Sequence, residues 1–177
     1  LLTLAQQQQS LVAILRGQSA DVEEDLWLAD VAQSQGLRMI RQIGSWWQRF
    51  QIESQCRYTS RLMKRMGCFE EYVTAHFAGH FAPASIEELS MQFLSSLQGH
   101  ENSLLCAVAS LELLCITSSD VAERTAIIYW DRNPNKVMAA LNCYEELPEA
   151  EAGVRYVLRM SPELPGGVSC LREALPG

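Results

Sequence analysis

The sequence predicts an α+β protein in two parts, an N-terminal helical bundle over residues 1–117 and a small C-terminal α+β domain over residues 121–177. Three observations carry that expectation. Up to residue 117, apolar residues recur at three- and four-residue spacings between glycines at 17, 36, 67 and 99, the period of amphipathic helices. After "TSSD" at 117–120 the chain becomes β-branched and aromatic in "TAIIYW" and alternating in "GVRYVLRM", the period of strands. The whole chain, 177 residues with 48% hydrophobic and 20% charged content, has ordinary globular composition and enough length to hide about 70% of its extended surface.

The first helix is expected in "LLTLAQQQQSLVAILRG", where Leu4, Leu11, Val12, Ile14 and Leu15 supply the apolar side and Gly17 the stop. The four glutamines at 6–9 suit an exposed face. In "SADVEEDLWLADVAQSQG" the carboxylates of Asp21, Glu23, Glu24 and Asp25 suit the positive end of a helix dipole, Leu26, Leu28 and Val31 give a buried side, and Gly36 ends the helix. Residues 37–66 form the longest periodic segment. Ile40, Ile43, Trp47 and Phe50 make one apolar stripe, and Gly44 suggests a kink or a close approach. Gly67 breaks this segment, and "CFEEYVTAHF" resumes with Phe69, Tyr72, Val73 and His76 until Pro83 intervenes. "SIEELSMQFLSSLQG" opens with Ser85 and Glu88 in capping-box spacing and closes at Gly99. "ENSLLCAVASLELLCI" is apolar nearly all round, as a central helix is.

In the second part, "TAIIYW" reads as a strand, and "DRNPNKVMAALN" as a helix with Asn133 as N-cap and Pro134 in the first helical position. "GVRYVLRM" alternates Val154, Tyr156, Leu158 and Met160 against Arg155, Val157 and Arg159. "SPELPGGVSCLRE" turns through Pro165, Gly166 and Gly167 into a last strand.

The chemistry is sparse. No apolar run approaches the roughly 18 residues of a membrane span, so no membrane is expected. The start lacks Met and the basic, small-residue pattern of a signal peptide, which suggests a trimmed cytoplasmic chain. The six cysteines, at 56, 68, 106, 115, 143 and 170, form no CxxC pair or zinc-type cluster. Cys106 and Cys115 lie in an apolar run and are expected as small buried hydrophobes in a reducing compartment. His76 and His80 have the i, i+4 spacing of a ligand pair, but no acidic third ligand stands at a recognised spacing, so no metal and no cofactor is expected. Phosphate-binding and nucleophile-elbow motifs are absent. Asp131, at the end of a strand, sits where catalytic residues often do, yet before Asn-Pro it suits a turn better. No catalytic residue is assigned.

Charge is distributed unevenly. The chain carries a net −7, while residues 37–66 hold seven basic side chains and one acidic one. Arg57, Arg61 and Lys64 share a helical face with Arg65 beside them, and Arg38, Arg41 and Arg49 share another. A duplex binder ordinarily shows a basic footprint over a whole domain; here the remainder is strongly negative. The basic face is therefore read either as solvated or intramolecularly paired, or as a contact for an acidic partner, with nucleic acid behind both.

Residues 56–97, "CRYTSRLMKRMGCFEEYVTAHFAGHFAPASIEELSMQFLSSL", resemble a bacterial family described as a DNA-binding N-terminal domain. "RLMKRMG", "FEEYVTAHF", "FAPAS" and "LSMQFLSSL" stand where that family has its arginine-rich helix and "LxxLMG" corner, its "FxxLVxxF" helix, its proline linker and its "FxxFL" helix. The helix ending in "ASLELL" resembles the one that follows, so the likeness spans residues 37–116. Where the family has a Tyr-Arg pair and a Phe-Pro step, this chain has "GSWWQRFQIESQCRY". The family is similar to the partner proteins of multinuclear non-haem iron oxidative (MNIO) enzymes, which modify cysteines in ribosomally made peptides. That resemblance implies a non-catalytic accessory subunit in peptide natural-product biosynthesis, paired with the iron enzyme and with a cysteine-containing precursor peptide. Its helical part would dock on the enzyme and its C-terminal part would resemble a peptide-recognition module. On this reading Arg57, Arg61, Lys64 and Arg65 meet the partner enzyme. Tyr129, Trp130, Arg155, Tyr156 and Arg159 hold the peptide, with the backbone between Arg155 and Arg159 pairing with it as an added strand. A DNA-binding transcriptional regulator is the alternative, and a stand-alone scaffold a third.

Overall fold

The computed structural model describes residues 2–15, 25–78, 85–117, 125–164 and 167–175. Its elements follow the order α1 (Leu4–Leu15), α2 (Leu26–Gln33), α3 (Gln35–Gln55), α4 (Arg57–Met66), α5 (Phe69–Phe77), α6 (Ile86–Ser96), α7 (Ser103–Thr117), β1 (Ala126–Trp130), α8 (Pro134–Cys143), β2 (Val154–Met160) and β3 (Val168–Ala174). The protein is thus mostly helical with one small antiparallel sheet, in strand order β1-β2-β3. No helix among the described residues is long and apolar enough to cross a membrane.

Local chemistry explains most boundaries. The side chain of Asp25 accepts from the backbone N–H groups of Trp27 and Leu28 and so caps α2. Ser34 caps α3, so α2 ends before Gly36, which lies inside α3. Ser85 accepts from Glu88 N at 3.3 Å, while the Glu88 carboxylate turns to Gln92; half of the expected capping box is formed. Asn133 caps α8 through Asn135 N and Lys136 N, with Pro134 at its first turn. The segment at 37–66 is two helices, because Cys56 leaves helical geometry at φ −98°, ψ 57°. Gly67 ends α4 at φ 73°, a left-handed conformation that favours glycine. Gly44 sits in an unbroken helix with open space where a Cβ would go, so neither a kink nor a close approach explains it. Gly17, Asp21, Glu23, Glu24, His80, Pro83, Pro165 and Gly166 lie outside the described residues.

The main core is continuous across the expected boundary between the two parts. Ile52, Leu62, Met63, Phe93, Leu105 and Val108 from the helices join Ile128, Trp130, Val137, Leu141, Tyr156 and Leu158 from the C-terminal part in one buried cluster. Here α7 packs against β1, and α4 packs against both α7 and α8. A second, smaller cluster of Ile14, Leu28 and Leu37 fastens α1 and α2 to the start of α3.

Two burial expectations are overturned, and one apolar stripe lies outside. The stripe of Ile40, Ile43, Trp47 and Phe50 faces outward, because α3 turns Leu37 and Ile52 inward instead. Leu26 is 85% exposed, leaving Leu28 as the buried residue of α2. Cys106 is half-buried and Cys115 exposed, since α7 packs through Leu104, Leu105, Ala107, Val108 and Ala109.

Candidate functional site

Two surfaces bring the sequence-derived candidates together. The first is built on α4, whose inner side buries Thr59, Ser60, Leu62 and Met63. Its first turn is held by Glu112, a buried side chain of α7, whose two oxygens accept from Tyr58 N and Thr59 N at 2.7 Å each. Those are two of the donors that every helix start leaves without an internal partner. Burial pushes the Glu112 carboxyl above its usual range, and the hydrogen bonds from Thr59 and Tyr58 oppose that rise.

The outer side of α4 carries the basic residues, and they reach the end of α8. Arg61 donates to the carbonyls of Leu141 and Asn142 at 2.9 and 3.1 Å. Arg65 donates to Ala140 O at 3.0 Å and to Glu145 O. Arg57 donates to the Asn142 side-chain oxygen at 2.9 Å, and Lys64 pairs with Glu53. Helix α8 ends without a basic residue in its last turn and without a terminal glycine; Tyr144 takes the left-handed position at φ 61°. Its terminal carbonyls and negative dipole end are therefore met by arginines from α4, although Ala140 O also accepts from the backbone N–H groups of Tyr144 and Glu145. Of the readings open to the basic face, intramolecular pairing accounts for Arg57, Arg61 and Arg65, which clasp α8, and for Lys64, which pairs with Glu53. Between these side chains lies a groove of about 480 Å³, lined by Glu53, Ser54, Arg57, Ser60, Arg61, Lys64, Arg65 and Tyr144. The Tyr144 ring is 72% exposed and lies 4.4 Å beneath the Arg61 guanidinium.

The second surface is the sheet. Trp130 and Tyr156 point into the core, at 2% and 6% exposure, and Tyr156 donates to Glu151 at 2.6 Å. They pack the sheet onto the helices and are not free anchors. The opposite face carries Tyr129, Arg155 and Arg159, while Val157, which the alternation puts with them, is buried at 2% exposure. Tyr129 stands beside Val157 and Ile127 beside Arg159 in the register. Arg155 lies 4.5 Å over the Tyr129 ring and pairs with Glu173 at 2.8 Å. Arg159 is exposed and makes no ion pair among the described residues. The register also corrects the expected pairing edge. Strand β2 is bonded on one side to β1 and on the other to β3, so the backbone between Arg155 and Arg159 is already used. Among the described residues the open edges belong to β1 and β3. Strand β3 is the longer, seven residues to five, and most of its side chains are exposed.

The remaining candidates resolve as structural groups. Asp131 pairs with Arg132 through two contacts of 2.9 and 3.0 Å, which holds its carboxyl below the usual range. His76 packs edge-on against Phe77 and Phe93. His100 accepts from Asn102 N through Nδ1 and meets the Tyr72 hydroxyl through Nε2. Burial pushes the Cys56 thiol up to about 12, so it stays protonated and inert. No group of three potential metal ligands occurs among the described residues. No protein-family model matches this chain, and no curated protein and no solved structure matches it either.

Proposed function

We propose that the chain is a non-catalytic partner that binds a ribosomally made precursor peptide and presents it to an iron-dependent oxidative enzyme. The observation that carries the peptide half is the open edge of β3 beside an outward sheet face bearing Tyr129 and Arg159. An extended peptide laid along β3 would gain main-chain hydrogen bonds, each contributing about 1 kcal/mol net. Ordering each peptide residue costs about 1–2 kcal/mol. The backbone bonds alone therefore leave little surplus, and side-chain contacts decide the affinity. Arg159 supplies an exposed cation for acidic leader residues, while Leu171 and Val168, 44% and 47% exposed, supply apolar contacts on the added strand.

The enzyme half rests on the family resemblance of residues 37–116. Iron chemistry would belong to the enzyme, and this chain would contribute grip and orientation. The DNA-binding alternative loses its main support because Arg57, Arg61 and Arg65 hold α8.

The test is fluorescence anisotropy with a labelled cysteine-bearing precursor peptide that carries an acidic leader. Wild-type chain should bind it, and Arg159→Glu should weaken binding about tenfold or more, with the circular dichroism unchanged. Absence of binding, or equal affinity for Arg159→Glu, would remove the assignment.

A further inference from the structure

Helix α3 is amphipathic in an unusual sense, since its second apolar face looks away from the protein. Met39, Ile43, Trp46 and Phe50 recur at spacings of four, three and four, with Ile40 and Trp47 along one flank. All six are between 48% and 61% exposed. Such spacing is that of a helix–helix seam, in which each side chain inserts between those of a facing helix. The three half-exposed aromatics and three half-exposed aliphatics together present on the order of 500 Å² of apolar surface. That is close to the apolar share of a standard interface, which buries about 800 Å² per partner with some 60% of it apolar.

We infer that this face is a homodimer interface in which α3 packs antiparallel against α3 of a second copy. The seam is self-complementary in that direction. Its first half is aliphatic, with Met39, Ile40 and Ile43. Its second half is aromatic, with the Trp46 and Phe50 rings stacked at 5.6 Å and Trp47 also 5.6 Å from Phe50. A two-fold axis between Ile43 and Trp46 places Ile43 of one copy against Trp46 of the other and Met39 against Phe50 as close pairs, while on the flank Ile40 is level with Arg49 and Trp47 with Gln42. Every close pair then joins a slender side chain to a broad ring, which keeps the axes evenly spaced. Parallel pairing would set Trp46 on Trp46 and Met39 on Met39, wide at one end and narrow at the other.

Charge permits the same arrangement. The chain is net negative, but the charged residues of α3 are Arg38, Arg41, Arg49 and Glu53. Arg41 is turned inward to Ile14 O, and Arg49 is paired with Glu70 at 2.7 Å. In the antiparallel register Arg49 is level with Ile40 of the other copy, so no like charges meet at the seam.

The experiment is sedimentation of the full chain over a concentration series reaching about 100 µM, a range that captures micromolar association. A dimer is expected. Ile43→Lys alone and Trp46→Glu alone should each raise the dissociation constant about 100-fold or more, since the two-fold axis counts each substitution twice. Their helicity should match wild type because neither position touches the core. An equimolar mixture of the Ile43→Lys and Trp46→Glu chains should recover dimer, as antiparallel pairing brings the new opposite charges together at one of the two equivalent contacts. A wild-type monomer overturns the inference, including one captured by anionic phospholipid vesicles or by the iron enzyme. Dimers indifferent to either substitution, or a mixture that stays monomeric, also overturn it.

Discussion

Glu112 shows how one side chain can fix the orientation of a helix at a cost that depends on pH. It sits in the apolar face of α7 and accepts the N–H groups of Tyr58 and Thr59, the second and third residues of α4. Replacement by glutamine keeps one acceptor but turns an amide NH₂ toward the second N–H. Glu112→Gln should therefore lose about 1–3 kcal/mol in urea denaturation. The pH dependence has a defined sign. Because the folded carboxyl titrates above its ordinary value of 4.5, its contribution is fully present below 4.5 and is lost as pH rises through the folded value. The decline in stability above pH 4.5 should be shallower in Glu112→Gln than in wild type, and parallel profiles would refute the assignment. The sequence showed Glu112 only as an interruption in an apolar run; its partners lie more than fifty residues away.

At the scale of elements, boundaries were legible wherever a single residue sets them, as with Ser85, Asn133 and Gly67. Partnership between elements was not. The periodicity of α3 shows an apolar stripe but not which neighbour covers it, and that stripe faces outward. The basic face of α4 was likewise visible, while its destination was not. The available signal lay in α8, where "LNCYEE" closes a helix with neither a basic residue nor a glycine. That clasp is testable. Arg61→Ala and Arg65→Ala should each cost about 1 kcal/mol, as lost hydrogen bonds to helix-end carbonyls do, with Arg65→Ala the milder because Ala140 O keeps its backbone donors. The double variant should cost less than the sum, because both residues hold the same helix end. Strict additivity in urea melts would show that the two act separately.

For the whole molecule, composition and period changes located the shift from helices to strands, but not that both parts share a core through Trp130 and Tyr156. Strand alternation correctly sent Arg155 and Arg159 outward, yet it carries no information about strand order. That order places β2 in the centre and leaves β3 as the long open edge. The central functional claim, that a precursor peptide adds to this edge, is tested most directly by amide hydrogen exchange with and without the labelled peptide. Strand addition predicts that amides within 168–174 slow markedly on binding, while those of 126–130 change little. Bound peptide with no added protection in 168–174 would contradict it.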